Sequence, residues 1–236
     1  MVSTCYKWMQ WIRQCLSGST SSTRLGMTAF RREKLLYEFN TFLDENHDGV
    51  LEERDLNQAA ERLCHRYRWP ANDPRALRAK ALMKDLWLSL RLHADEDQDD
   101  KVTRTEWLAL WTGVEEKWQK RTASEKTHLV TPGETPTIPS WIREYFHYKF
   151  LLFDVAGDGV LDEEEFVYVM TQYGAVEAVA KKAWFLMTQG RLLLRQDSFE
   201  QLCEEFFLSD QPTDPGTFLA ARLYFLPGEQ RDNEPQ

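Results

Sequence analysis

The stretch DENHDGVLEERD, residues 44–55, decides how this chain reads, because its pattern of oxygen-bearing side chains recurs in DEDQDDKVTRTE at 95–106 and DVAGDGVLDEEE at 154–165. A hard dication needs about six to eight oxygens at ~2.3–2.6 Å, and a short chain delivers them only by wrapping around the ion. Positions 1, 3, 5, 7, 9 and 12 of a twelve-residue loop supply them. In the first stretch these are Asp44, Asn46, Asp48, the backbone carbonyl of Val50, Glu52 (often through a water) and Asp55, with Gly49 at the sharp turn of position six. In the second they are Asp95, Asp97, Asp99, the carbonyl of Lys101, Thr103 and Glu106. Asp100 replaces the turn glycine there, a strain of about 1 kcal/mol that should weaken the site without abolishing it. The third stretch has Asp154, Asp158, the carbonyl of Val160, Asp162 and Glu165, with Gly159 at the turn. Its position three is Ala156, which offers no oxygen, so a weaker site is expected.

Each stretch resembles the loop of an EF-hand. A lone acidic run is usually a solvated surface, but that reading leaves the apolar residues around these runs unexplained. Leu51, Val102 and Leu161 stand at position eight, where they can join a strand pair between neighbouring loops, and Leu56, Trp107 and Phe166 follow position twelve. Reading back from Phe199 gives a fourth unit, Met187 to Ser198, with Met187, Gln189, Arg191 and Ser198 where ligands should stand. That loop cannot hold a dication; its expected purpose is to give the third unit a packing partner. The fold class expected is all-α, with two pairs of EF-hand helix–loop–helix units in one compact body and a degenerate fourth loop. The expected cofactor is Ca2+, with Mg2+ possible at the first loop, because Asp55 is one methylene shorter than Glu and tends to give one oxygen rather than two.

At 236 residues and 42% apolar, the chain can build a substantial core. Its net charge of −9 disfavours nucleic acid, for want of a basic stripe, and suits a protein that collects cations. Cysteines at 5, 15, 64 and 203 form no close pair and no disulfide scaffold, so a reducing cytoplasm is the expected setting. Cys64 and Cys203 read as buried apolar residues of helices rather than reactive thiols. No run reaches membrane-span length, and the start of the chain lacks the apolar core of a secretory signal. Trp8, Trp11, Ile12, Cys15 and Leu16 do make a helical apolar stripe within residues 5–16, flanked by Lys7 and Arg13, which could touch a membrane weakly, aided by acylation of Cys5 or Cys15. A frayed or body-packed extension is the plainer expectation. No phosphate-binding G-x-x-x-x-G-K-[ST] motif and no nucleophile–base set is visible, so no enzymatic activity is expected.

Punctuation divides the chain into an extension at 1–26, a first EF-hand pair at 27–119, a linker at 120–139, a second pair at 140–208 and a tail at 209–236 expected to dock on the body. Thr28 can cap a helix carrying Leu35, Leu36, Phe39 and Leu43 into the first loop. The helix leaving that loop is placed at about Glu53 to Tyr67, and Asp73 before Pro74 starts the next one. A further helix is expected from about Arg104 to Trp118, and Ser140 begins the one that enters the third loop. The linker carries three prolines and a glycine.

Four segments, FNTFLDENHDGVLEERDL (39–56), ADEDQDDKVTRTEWLALW (94–111), MTQYG (170–174) and EEFFLSDQPTDPG (204–216), resemble the invertebrate sarcoplasmic calcium-binding proteins, and most closely the calexcitins. The likeness covers roughly residues 27–220; the first 26 residues, the long linker, Ala156 and the last residues depart from it. It implies a compact all-α protein that serves as a calcium sensor or signal modulator in excitable cells, with an unidentified protein target. The alternative is a calcium/magnesium buffer of the sarcoplasmic type. A third reading, a coelenterazine-type ligand carrier, would need a cavity lined by His, Trp and Tyr; His147 with Tyr145, Tyr148 and Trp141 is the local hint. Six methionines and nine tryptophans do not make a Met-rich adaptable groove, which tilts the composition slightly toward buffering or a shape-specific partner.

Overall fold

The computed structural model describes residues 27–125 and 138–224, the side chains of 117–125 excepted. The apolar stripe within residues 5–16, most of the linker and the chain beyond Tyr224 lie outside the described residues.

Helix α1 (Ala29–Glu38) starts at Thr28, whose Oγ1 accepts the N–H of Arg31 at 3.2 Å. It widens into a π-helical turn, Phe39–Leu43, that ends at Asp44 and buries Phe39, Phe42 and Leu43. Strand β1 (Val50–Leu51) follows, then α2 (Glu53–Arg66) and α3 (Pro74–His93). Asp73 caps α3, accepting the N–H of Arg75 at 2.8 Å, with Pro74 in the first turn. Strand β2 (Val102–Thr103) leads into α4 (Arg104–Glu125). That helix continues past Trp118 into the stretch expected to be linker, because residues 119–125 contain no glycine or proline to stop it. The second half repeats the plan with α5 (Ser140–Phe153), β3 (Val160–Leu161), α6 (Glu163–Gln172), α7 (Glu177–Thr188), β4 (Leu194–Arg195) and α8 (Gln196–Leu208). A 3₁₀ turn, Pro215–Ala220, closes the described chain.

The loops are tied in pairs. Strands β1 and β2 run antiparallel with Leu51 opposite Val102, and β3 and β4 with Leu161 opposite Leu194. All four side chains are buried and face the helices. One apolar core runs through both halves: α3 packs on α5 and α1 on α8, while Trp111 stacks on Phe207 with ring centroids 4.4 Å apart. Cys203 is buried in this core and burial pushes its thiol far above the usual range; half-buried Cys64 is also raised by burial.

Two charged features hold the halves and the ends together. Lys149 of α5 donates to both carboxylate oxygens of Glu38 of α1 at 2.6 and 2.8 Å, and the Tyr145 hydroxyl donates to the same carboxylate. The pair is 1–2% exposed, with the ammonium 4.1 Å from the Phe42 ring centroid. At the ends of the chain, α1 grips the C-terminal segment: Arg31 donates to the carbonyl of Leu208 at 3.1 Å, Lys34 to Ser209 at 2.7 Å and Tyr37 to Ala220 at 3.2 Å. Burial pulls the Lys34 ammonium down to about 7, against the attraction of Asp210. Gly216 is needed where this segment crosses α8, since a Cβ there would lie 2.5 Å from the carbonyl oxygen of Leu202.

Removing one member of a buried ion pair leaves the other charge uncompensated, at roughly 3–5 kcal/mol, whereas replacing both by apolar groups is often near neutral. Lys149→Met should therefore destabilise the protein by about 3–5 kcal/mol. The double variant Glu38→Leu/Lys149→Met should lose clearly less, chiefly the partner of the Tyr145 hydroxyl, about 1–3 kcal/mol. Urea unfolding of both variants checks the order.

Candidate metal centre

Each loop is built around its first aspartate, turned inward by backbone N–H groups. Asp44, almost fully buried, accepts the N–H of Asp48 at 3.2 Å on Oδ1 and that of Gly49 at 2.9 Å on Oδ2. Gly49 has φ +86°, a conformation that needs glycine here. Asn46 Oδ1 accepts from the Asp48 N–H at 2.9 Å, and its Nδ2 donates to Asp48 Oδ2 at 2.8 Å. Asp48 Oδ1 accepts the Val50 N–H at 3.0 Å, which holds this carboxyl below its ordinary range. At the end of the loop Asp55 Oδ2 accepts the Glu52 N–H at 2.9 Å. Desolvation of the wholly buried Asp55 raises its pKa.

The second loop repeats this frame with more charge. Asp95 accepts the N–H groups of Asp99 at 3.2 Å and Asp100 at 3.1 Å, and Asp99 accepts that of Lys101 at 3.0 Å. Asp100 stands at φ +61°, the left-handed turn expected at position six. Desolvation and the neighbouring Asp97 and Asp95 carboxylates push Asp99 up. Glu106 spans the loop: Oε1 accepts the Glu96 N–H at 3.0 Å, and Oε2 accepts the N–H and hydroxyl of Thr103, both at 2.8 Å. Desolvation opposes its ionised form, yet those donors hold it below the usual carboxylate range.

In the third loop Asp154 accepts the N–H groups of Gly157, Asp158 and Gly159 at 2.8–3.1 Å, and Asp158 accepts that of Val160 at 3.0 Å. Glu165 bridges the N–H groups of Ala156 and Asp162 at 2.8 and 3.2 Å, as Glu106 does in its own loop. Asp162 caps α6 through the Glu165 N–H at 2.9 Å. Ala156 contributes only its backbone. The fourth loop has another character: Met187 is buried in the core, Arg191 is exposed, and Leu192 and Leu193 project into solvent at 83% and 55% exposure.

These residues fit a hard dication on two observations. Carboxylate oxygens of Asp95, Asp97 and Asp99 lie within 4.8 Å of one another, a crowding that a cation would relieve. Asp55 Oδ1 is buried and no donor among the described residues reaches it, so a cation would satisfy it. The carbonyls of Val50, Lys101 and Val160 sit where each loop enters its strand. Of the residues singled out for a ligand carrier, Tyr145 and Tyr148 stack in the core with ring centroids 6.4 Å apart and Tyr145 is tied to Glu38, whereas His147 bonds Gln196 at 3.3 Å and Trp141 stacks on His93 in a cleft of ≈ 310 Å³ beside Glu106. The sequence reading missed Arg54 and Arg104, whose guanidiniums reach the first loop; a cation in the first turn of a helix reads as solvated surface.

No family model matches the chain. It is 30% identical over 141 residues to the sarcoplasmic calcium-binding proteins II, V, VI and VII of Branchiostoma lanceolatum, spanning 60% of this chain and 69% of theirs. The chain belongs to the sarcoplasmic calcium-binding protein family. It also shares 24% identity over 192 residues with calexcitin-1 of Caenorhabditis elegans, covering 79% and 84% of the two chains. The solved sarcoplasmic calcium-binding protein from amphioxus superimposes with a TM-score of 0.64 at 26% identity, over 84% of this family member and 99% of that chain. An apo-aequorin complex matches at a TM-score of 0.56 and 14% identity, over 86% and 98% of the chains, a likeness of fold alone.

Two substitutions follow from the unequal ends of the loops. Glu106→Gln should remove one high-affinity calcium event, and unchanged stoichiometry and affinity by calorimetry would contradict this. Asp55→Glu supplies the missing reach, so it should shift the first loop toward calcium over magnesium, read as weaker magnesium competition at that loop by NMR.

Proposed function

We propose that this chain binds calcium through Asp44, Asn46, Asp48, Val50, Glu52 and Asp55 in the first loop and Asp95, Asp97, Asp99, Lys101, Thr103 and Glu106 in the second. A weaker third site uses Asp154, Asp158, Val160, Asp162 and Glu165, and the first loop also admits magnesium. The observation that carries this reading is the convergence of three carboxylates in the second loop, a crowding that a bound cation would relieve. The chain's sarcoplasmic relatives, which are calcium-binding proteins by name, support it.

Between sensor and buffer, the packing favours a calcium/magnesium buffer. A sensor must release an apolar face when it binds, and buffers barely open. Here the face of each half is packed against the other, pinned by Glu38–Lys149 and sealed by the C-terminal turn. The cytoplasm is the compartment that suits free cysteines and a calcium buffer.

Metal binding should also hold up the fold. One site at 100 times its Kd contributes about 2.7 kcal/mol, so two contribute about 5, a large part of a typical margin. Chelation should lower Tm by roughly 10–20 °C. An apo form melting within a few degrees of the calcium form would show that the helical core alone sets stability. Calorimetric titration with calcium, repeated over magnesium and with a hydrophobic dye, should give at least two binding events and little change in dye fluorescence. A several-fold rise in dye signal would favour the sensor reading, and no binding heat would end the calcium reading.

A further inference from the structure

The first loop meets cations at three of its ligand positions. Arg104, the first residue of α4, reaches out of the second hand: its Nη2 is 3.6 Å from Asp44 Oδ2, and its Nε donates to Asn40 Oδ1 at 2.8 Å. The guanidinium carbon is 5.7 Å from the Phe39 ring centroid, and Nη1 lies 2.6 Å from where a Cβ on Gly49 would be. Lys101 Nζ is 3.4 Å from Glu52 Oε1, while the Lys101 carbonyl is the position-seven oxygen of its own loop. Arg54 pairs with Asp48 Oδ2 and Glu52 Oε2, both at 3.0 Å. The other two loops differ. Among the described residues, no ion pair reaches Asp95, Asp97, Asp99 or Glu106, and Arg91 pairs only with the turn residue Asp100. Asp154, Asp158, Asp162 and Glu165 also have no ion pair among the described residues, although Arg75 Nη1 lies 3.0 Å from the Cβ position of Gly157.

We propose that Arg104, assisted by Lys101 and Arg54, sets the calcium affinity of the first loop, so that two cations belonging to the second hand tune a site in the first. The inference rests on the reading that the first loop binds calcium. A fixed positive charge beside a ligand carboxylate repels a dication, by about tenfold in affinity for one charge at several ångströms even in a water-like dielectric. The three side chains are about half exposed, so the effect is screened by salt. Arg104 is a positioning residue in this arrangement, acting through Asp44.

The test is a calcium titration of the full chain followed by the backbone amide signals of Gly49 for the first loop and Asp100 for the second. Arg104→Gln, which removes the charge, should tighten the first loop about tenfold at low salt, with the gain shrinking toward threefold at about 0.5 M. Arg104→Lys, which keeps the charge without the fork to Asn40, should stay within about twofold of the wild type. Lys101→Gln, made in case Arg104→Gln fails to fold, should also tighten the first loop. A responsive Gly49 with affinity unchanged or weakened in both Gln variants overturns the inference alone, as does Arg104→Lys behaving like Arg104→Gln. A wild-type Gly49 that never responds to calcium overturns the calcium reading of this loop, and the inference with it.

Discussion

Two two-residue strand pairs determine where everything else can stand. Leu51 opposite Val102, and Leu161 opposite Leu194, bind each loop to its neighbour through the backbone while their side chains enter the core between the helices. That constraint explains a loop with no use for metal. The fourth loop has no carboxylate at a ligand position but does have Leu194, without which Leu161 would face solvent and the third loop would have an unpaired strand edge. The tie also brings the acidic loops of the first pair side by side. Their charge is tolerated because the loop N–H groups point at the first aspartate of each, spreading its charge over several donors.

Much of this was legible in the sequence, for reasons of range. Thr28, Asp73 with Pro74, and the position-eight residues act within a few residues of themselves, so their chemistry could be read directly. The frame of each loop is local in the same way, and the spacing of the aspartates carried it. What escaped depended on partners far along the chain. Lys149 and Glu38 stand on helices where charged residues normally face water, and only the crossing of α1 with α5 makes them a buried pair. Arg104 lies 60 residues from Asp44, and nothing local marks its direction. The π-helical turn at Phe39–Leu43 is of the same kind: nothing local in FNTFL marks a wider winding, and only the structure shows it, with Phe39, Phe42 and Leu43 buried.

The charged residues of this family member thus divide between two environments with opposite logic. On the loop surface, water moderates every interaction, so Arg54, Lys101 and Arg104 adjust an affinity without fixing a structure. Inside, Glu38, Lys149 and Lys34 are held by geometry that cannot relax cheaply, and they specify which helices meet. On the buffer reading proposed above both are needed, because ions must enter and leave while the body around them stays shut.

The grip of α1 on the end of the chain bears on how the molecule is made. The carbonyls of Leu208, Ser209 and Ala220 that satisfy Arg31, Lys34 and Tyr37 lie 175 to 183 residues further on. A ribosome adding about 5–20 residues per second leaves α1 waiting for roughly ten to forty seconds before those partners emerge. Until then the Lys34 ammonium has no carbonyl to bury against and must stay in water, so α1 cannot settle into its final place. The acidic loops are complete well before that moment and can meet ions on a nascent chain still open at one side. The segment that carries Leu208, Ser209 and Ala220, rather than the metal, closes the body over α1.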